Sequence, residues 1–136
     1  MLFRSASAQE VAQSREAPYN PFVLCGESGS GKSFLLRAIA NARSEHCADG
    51  SYVGGIEDLH ELYSSRSDAR KFLTSMQLLA VDDLQELARY RYLQGELLAL
   101  FDHFHLQRKQ MVFACTGKVG GYTFLRPSSS RVWSGA

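Results

Sequence analysis

Residues 26–33 read Gly-Glu-Ser-Gly-Ser-Gly-Lys-Ser and match the pattern G-x-x-x-x-G-K-[ST] without a mismatch. In such a loop the glycines let backbone N–H groups point inward at a polyphosphate, and the following helix adds its positive amino end. We expect Lys32 to contact the β- and γ-phosphates and the Ser33 hydroxyl to coordinate Mg²⁺. The alternative is a glycine- and serine-rich turn ahead of a helix. The residues predicted to bind ATP or ADP with Mg²⁺ are Gly26, Glu27, Ser28, Gly29, Ser30, Gly31, Lys32 and Ser33.

A pair of carboxylates, Asp82 and Asp83, follows the apolar residues 78–81. A nucleotidase with a phosphate loop needs a carboxylate at the end of a neighbouring strand to hold magnesium. We therefore predict Asp82 as the magnesium ligand and Asp83 as the base that polarises an attacking water. The alternative is that both residues cap the helix that follows them.

Elements that could position these residues are visible in the apolar patterning. Continuous apolar runs at residues 21–25, 77–81 and 111–115 are typical of buried strands. A further short strand is predicted at residues 51–53, broken by Gly54 and Gly55.

Helical spacing of apolar residues occurs at residues 32–43, from residue 56 to residue 63, and at residues 92–108, where leucines and phenylalanines recur on one face. A helix rich in alanine and glutamine is predicted at residues 5–16, ended by Pro18. Apolar strands alternating with helices predict an α/β fold, a three-layer sandwich with a mainly parallel sheet. The length of 136 residues predicts one nucleotide-binding domain over residues 1–136, with residues 1–18 as an N-terminal helix and linker.

Composition excludes several classes of protein. Fifteen basic and fourteen acidic side chains give a formal net charge of +1, so this is not a strongly basic protein that coats nucleic acid by charge. No apolar run reaches the roughly 18 residues of a membrane span. Three cysteines without C-x-x-C spacing indicate reduced thiols, and we expect a cytoplasmic protein.

Three segments resemble the DnaA family of AAA+ ATPases, and the resemblance extends over residues 5–136. Residues 20–38 resemble the first strand, phosphate loop and helix of that family. Residues 78–85, Leu-Leu-Ala-Val-Asp-Asp-Leu-Gln, resemble its Walker B segment, including the glutamine Gln85. Residues 130–135, Ser-Arg-Val-Trp-Ser-Gly, are similar to the segment that carries the family's arginine finger.

The resemblance implies an ATP-binding module that acts in bacterial DNA replication initiation or its regulation. Arg131 would complete the site of a neighbouring subunit, and Thr116 would take the sensor position after the fourth strand. The implied partner is another AAA+ subunit or a DnaA-type initiator. The basic residues 65–71 lie where initiators contact DNA, but we expect at most a weak DNA contact there and no membrane partner.

Some positions depart from the family pattern. Gly117 stands where an aspartate is expected, and Pro127 replaces a second arginine, with Arg126 adjacent. Relative to the family, the sequence is expected to be truncated at both ends, beginning after the adenine-contacting segment and stopping before the last strand, the helical lid and the DNA-binding helix-turn-helix. Two alternatives stay open: a regulator of the same fold that does not hydrolyse ATP, and a helicase loader, which shares the first two motifs.

Overall fold

Strands and helices alternate along the computed structural model, which describes residues 21–27, 31–46, 50–117 and 131–135. The strands are β1 (Phe22–Gly26), β2 (Ser51–Gly55), β3 (Leu78–Asp82), β4 (Gln110–Thr116) and β5 (Arg131–Gly135). The helices are α1 (Lys32–His46), α2 (Ile56–Ser65), α3 (Ala69–Thr74) and α4 (Arg91–Leu106), with a 3₁₀ helix at Leu84–Arg89. The helix predicted at residues 5–16 and the linker to residue 18 lie outside the described residues.

The five strands form one sheet in the order β2-β3-β4-β1-β5, and every neighbouring pair is parallel. Parallel neighbours require crossover connections, and the connections from β1 to β2, from β2 to β3 and from β3 to β4 contain helices. All strands therefore end at the same edge of the sheet. This edge carries the predicted phosphate loop after β1 and the predicted carboxylates after β3.

Each face of the sheet is covered by helices. Phe22 and Leu24 of β1 pack with Leu36 and Ile39 of α1 on one face. Alternate residues of the same strands face the other way and pack with apolar residues of α2, α3 and α4. The period-two alternation of a strand thus feeds two apolar cores, which explains why the strands are apolar throughout. The predicted α/β three-layer sandwich is confirmed.

Strand β2 corrects the prediction that Gly54 and Gly55 break it. Both glycines continue the ladder, in register with Val81 and Asp82. A Cβ on Gly54 would lie 3.0 Å from the Cβ of Asp58, at the start of α2. The glycine therefore allows α2 to approach the sheet closely, and it does not end the strand.

Strand β5 corrects the expectation that the sheet has no strand after β4. Residues 131–135 pair with β1 along its whole length, from Phe22–Arg131 to Gly26–Gly135. Because Phe22 and Leu24 are fully buried, β1 needs a neighbour on both sides to pair its backbone groups. The other predicted elements that fall within the described residues are present, with ends shifted by at most three residues. Within the described ranges no helix has the length and apolar character that crossing a bilayer requires.

The central strand supplies a stability prediction. Phe113 of β4 is fully buried, whereas Phe34 of α1 is 74% exposed. We expect Phe113→Ala to lower the free energy of unfolding by about 3–5 kcal/mol, because it removes buried apolar area and leaves a cavity. Phe34→Ala should change the free energy of unfolding by less than about 0.5 kcal/mol. Equilibrium urea unfolding measures both, and equal losses would contradict the core assignment.

Candidate nucleotide-binding site

The phosphate-loop candidate lies between the end of β1 at Gly26 and the start of α1 at Lys32. Gly31 has a φ of 87°, in the left-handed region that glycine adopts without a side-chain clash. The first helical hydrogen bond is donated by the Leu35 N–H to the Gly31 carbonyl, with an N–O distance of 3.0 Å. The N–H groups of the first helical turn thus have no acceptor within the helix and lie at its positive end, as in helix N-termini that bind anions.

Two further predicted loop residues are described by the structure. Glu27 and Ser33 are both exposed to solvent, so the Ser33 hydroxyl at the second position of α1 is accessible to a ligand. Ser28, Gly29 and Ser30 lie outside the described residues.

Lys32 has a buried side chain, with 7% of the residue exposed. Its ammonium donates a hydrogen bond to the carbonyl oxygen of Glu27, with an Nζ–O distance of 3.0 Å. An ammonium has three donors, and among the described residues the Glu27 carbonyl is the one hydrogen-bond acceptor in contact with it. Burying a cation with so little compensation is costly, and an anion at the loop would supply the missing interaction. The lysine therefore fits a phosphate group.

Asp82 is the last residue of β3 and is 7% exposed. Its Oδ1 accepts a hydrogen bond from the N–H of Asp83, with an N–O distance of 2.8 Å. A carboxylate held in this way at a strand end fits Mg²⁺, which is commonly bound through one or two carboxylates and substrate phosphates. Across the described part of the chain no group of three or more His, Cys, Asp and Glu residues could hold a metal ion. A magnesium site here would therefore need phosphate oxygens as well.

Asp83 lies in a different environment from its neighbour. Its backbone has φ 55° and ψ 43°, the left-handed conformation that is uncommon outside glycine, and its side chain is exposed. The turn directs the chain from β3 into the 3₁₀ helix, where the Glu86 N–H donates to the Asp83 carbonyl at 2.9 Å. One carboxylate is thus buried at the strand end and the next is accessible to water.

The side chain of Gln85 connects Asp83 to β4, a contact that the sequence does not predict. Its Nε2 donates to Asp83 Oδ1 at 3.3 Å, and its Oε1 accepts from the Thr116 N–H at 3.1 Å. Thr116 is in register with Gly26, and the Gly117 N–H donates to the Gly26 carbonyl at 3.4 Å. The resemblance marked Gln85 as a family feature, but only the structure shows what its side chain contacts.

The strand order determines which predicted residues come together. Strand β4 lies between β1 and β3, so the ends of β1 and β3 are about 10 Å apart, two strand spacings. Gly26, Asp82 and Thr116 therefore share one edge of the sheet. Arg131 does not, because it begins β5 in register with Phe22, four residues before the partner of Gly26. Its backbone lies about 13 Å along the strand from that edge.

Two cysteines lie beneath the loop. Cys25 and Cys115 are in register on β1 and β4, both are buried free thiols, and their Sγ atoms are 3.1 Å apart. The contact with Cys25 and burial hold the pKa of the Cys115 thiol well above its usual range, and the nearby Lys32 ammonium lowers that pKa only in part. The Cys115 thiol at the base of the site therefore carries no charge. Cys47 lies outside the described residues.

The basic residues 65–71 are partly neutralised within the fold. Arg66 donates two hydrogen bonds to Asp68, at 2.9 and 3.0 Å. Arg70 donates two to Glu96 of α4, one of them at 3.0 Å. These acids compete with any external anion, which is consistent with the expectation of no more than a weak DNA contact.

Comparison with known proteins gives a family match. A family model described as the bacterial DnaA ATPase domain matches residues 2–119. The chain is 34% identical over 116 residues to the chromosomal replication initiator protein DnaA of Trichormus variabilis, a match that covers 80% of this chain and 25% of that protein. The chain thus spans about a quarter of the length of this relative.

Solved structures agree in fold. Domain III of the replication initiation protein DnaA from Thermotoga maritima has a TM-score of 0.82 at 24% identity, covering 96% of this chain and 60% of that one. AMPPCP-bound DnaA from Aquifex aeolicus has a TM-score of 0.82 at 20% identity, covering 95% of this chain and 44% of that one. At these identities the likeness shows the fold alone. The family model, however, extends over the phosphate loop, the Asp82-Asp83 pair and Thr116, and we conclude that the chain belongs to the bacterial DnaA ATPase domain family.

Proposed function

We propose that this domain binds ATP with Mg²⁺ at the edge formed by the phosphate loop, Asp82 and Thr116, and that it acts in bacterial DNA replication initiation or its regulation. The observation that carries the proposal is the buried ammonium of Lys32 at the amino end of α1, for which the described residues supply one neutral acceptor, the Glu27 carbonyl. Membership in the DnaA ATPase domain family supports the choice of ATP and of the process.

Each side chain has a role that follows from its position. Lys32 donates hydrogen bonds to the terminal phosphates, together with the N–H groups of the first turn of α1. Ser33 and Asp82 hold Mg²⁺, which neutralises phosphate charge when bound. Asp83, exposed beside Asp82, accepts a hydrogen bond from the attacking water and orients it.

A regulator that binds ATP without hydrolysing it is the second candidate. Gly117 has a φ of 93°, a conformation in which most side chains are strained, at the position where the resemblance expects an aspartate. Gly117 supplies no carboxylate at this position, next to Thr116, the residue at the expected sensor position. Phosphate release by the purified protein, with and without a DnaA-type initiator, separates the two candidates: turnover favours the ATPase, and its absence with retained binding favours the regulator.

The partner is expected to be another AAA+ subunit or a DnaA-type initiator. Arg131 begins β5 at the sheet edge away from the phosphate loop, which supports a role in a neighbouring site over a role in its own. An arginine at such an interface suits the task because its planar, permanently charged guanidinium stabilises charge on a transferring phosphoryl group.

Removing the buried ammonium tests nucleotide binding. We expect Lys32→Ala to weaken ATP affinity on the order of 100-fold, because the phosphates lose a charge-assisted donor in a shielded site. Titration calorimetry at high nucleotide concentration measures the change. Lys71→Ala, which removes an exposed lysine of α3, is the matched control and should leave affinity unchanged. Equal affinity of Lys32→Ala and the parent would refute the site.

Replacing each aspartate with asparagine tests whether Asp82 and Asp83 have different roles. Asp82→Asn should weaken Mg²⁺-dependent ATP binding, because an amide is a poorer magnesium ligand than a carboxylate. Asp83→Asn should leave binding intact and slow hydrolysis by about 10²-fold or more, the range for losing a general base. Calorimetry with and without Mg²⁺ and phosphate-release kinetics provide the readouts. If both variants behave like the parent, the assignment of a magnesium ligand and a base to this pair is wrong.

Replacing the interface arginine tests assembly. Arg131→Ala should keep ATP affinity within about twofold, yet lose up to about 10³-fold of any hydrolysis stimulated by a DnaA-type partner. Arg91→Ala, at the exposed start of α4, is the control for losing a surface charge. A loss of affinity in the isolated chain as large as that of Lys32→Ala would mean that Arg131 acts in its own site.

A further inference from the structure

Gln85 makes the side-chain link between the acidic end of β3 and the last residue of β4. The paired residues of β3 and β4 run from Leu78–Gln110 to Val81–Phe113, so Thr116 lies three residues beyond this ladder. The half-buried Gln85 extends from the 3₁₀ helix to the Thr116 N–H. Its amide therefore joins two segments whose backbones have already separated.

The orientation of this amide is fixed by its partner on β4. A backbone N–H can only donate, so the atom facing Thr116 must be the oxygen of Gln85. The NH₂ group is then directed at Asp83, whose ionised carboxylate can only accept. Neither contact is compatible with the flipped amide, and the two hydrogen bonds therefore support each other.

Within the described ranges, few other contacts restrain the Asp83 carboxylate. Its residue is exposed, and the backbone around it is in the left-handed conformation. On its other side lies Gly55, where a Cβ would be 3.6 Å from Asp83 Oδ2. An exposed aspartate samples several rotamers unless a hydrogen bond selects one. In this structure the amide of Gln85 supplies that bond.

We propose that Gln85 is the positioning residue of this site: it holds the Asp83 carboxylate in the orientation that aligns water for hydrolysis, and it links that orientation to Thr116 beside the phosphate loop. This inference rests on the proposed ATPase function. It requires no contact between Gln85 and nucleotide, because its effect passes through Asp83.

Two substitutions distinguish a positioning role of Gln85 from a purely structural link between Asp83 and Thr116. Gln85→Glu keeps an oxygen for the Thr116 N–H but turns a second carboxylate oxygen toward Asp83, so it loses the donor. Gln85→Met has similar length and loses both bonds. Gln94→Met, at an exposed position of α4, is the matched control. The measurements are ATP affinity by calorimetry, kcat by phosphate release, and urea unfolding.

We expect both Gln85 variants to lower kcat on the order of tenfold, with ATP affinity within about twofold of the parent and Gln94→Met unchanged. Gln85→Glu should retain the urea midpoint of the parent. Adding Gln85→Met to Asp83→Asn should lower kcat no further, since the carboxylate it positions is already gone. Undiminished kcat in Gln85→Glu, or a full additional loss in the double variant, would overturn the proposal.

The same measurements distinguish this inference from the function beneath it. A parent protein that binds ATP but shows no turnover, alone or with a DnaA-type initiator, overturns the role of Gln85 and leaves nucleotide binding intact. A parent protein that binds no ATP overturns the proposed function, and the inference with it.

Discussion

The pairing of β1 with β4 is the interaction on which the site depends. It runs in register from Phe22–Val112 to Gly26–Thr116, and it sets the start of the phosphate loop against the end of β4. A slip of one residue would turn every side chain of β1 to the opposite face and exchange its contributions to the two apolar cores. Both strands are almost fully buried, so such a slip would also leave backbone groups unpaired away from water. The cores therefore specify the register, and the register specifies the site.

The same pairing brings two buried cysteines together next to the phosphate loop, and their low polarity affects the electrostatics of the site. The thiols of Cys25 and Cys115 are buried and in contact at the ends of β1 and β4, and this contact and burial raise the pKa of Cys115. Lys32 lies near these thiols with its ammonium held by the Glu27 carbonyl. A charge in a poorly solvated position interacts more strongly with a phosphate than the same charge in water would. The apolar strands thus position the loop, and they also strengthen the interaction that the buried Lys32 ammonium would make with a phosphate.

Local patterns in the sequence were sufficient for much of this arrangement. The phosphate-loop pattern, the apolar runs of β1, β3 and β4, and the spacing in α1 and α4 depend on neighbours along the chain, and each element was predicted. The sequence predicts a shorter β2, because two glycines normally interrupt a strand. In the structure Gly54 continues the strand, since the close approach of Asp58 requires a residue without a side chain there. Strand β5 and the contacts of Gln85 depend on partners about 110 and 31 residues away, respectively, in the chain. No local pattern encodes such contacts, which only the folded sheet defines.

Asp82 and Asp83 show how one fold gives identical side chains different chemistry. The strand ends at Asp82, so its carboxylate stays at the buried edge and accepts the N–H of the next residue. The left-handed conformation at Asp83 then leads the chain into the 3₁₀ helix, and the second carboxylate is exposed, with Gln85 and Gly55 close to it. A regular helix start at Asp83 would place the two acids differently and would remove the geometry that brings Gln85 to Thr116. Because an αL conformation at a non-glycine residue costs on the order of 1 kcal/mol, the surrounding contacts must offset it, and the Asp82, Gln85 and Glu86 hydrogen bonds do so. The left-handed conformation at one residue thus accompanies the difference in environment between a buried and an exposed carboxylate, on which the two proposed roles depend.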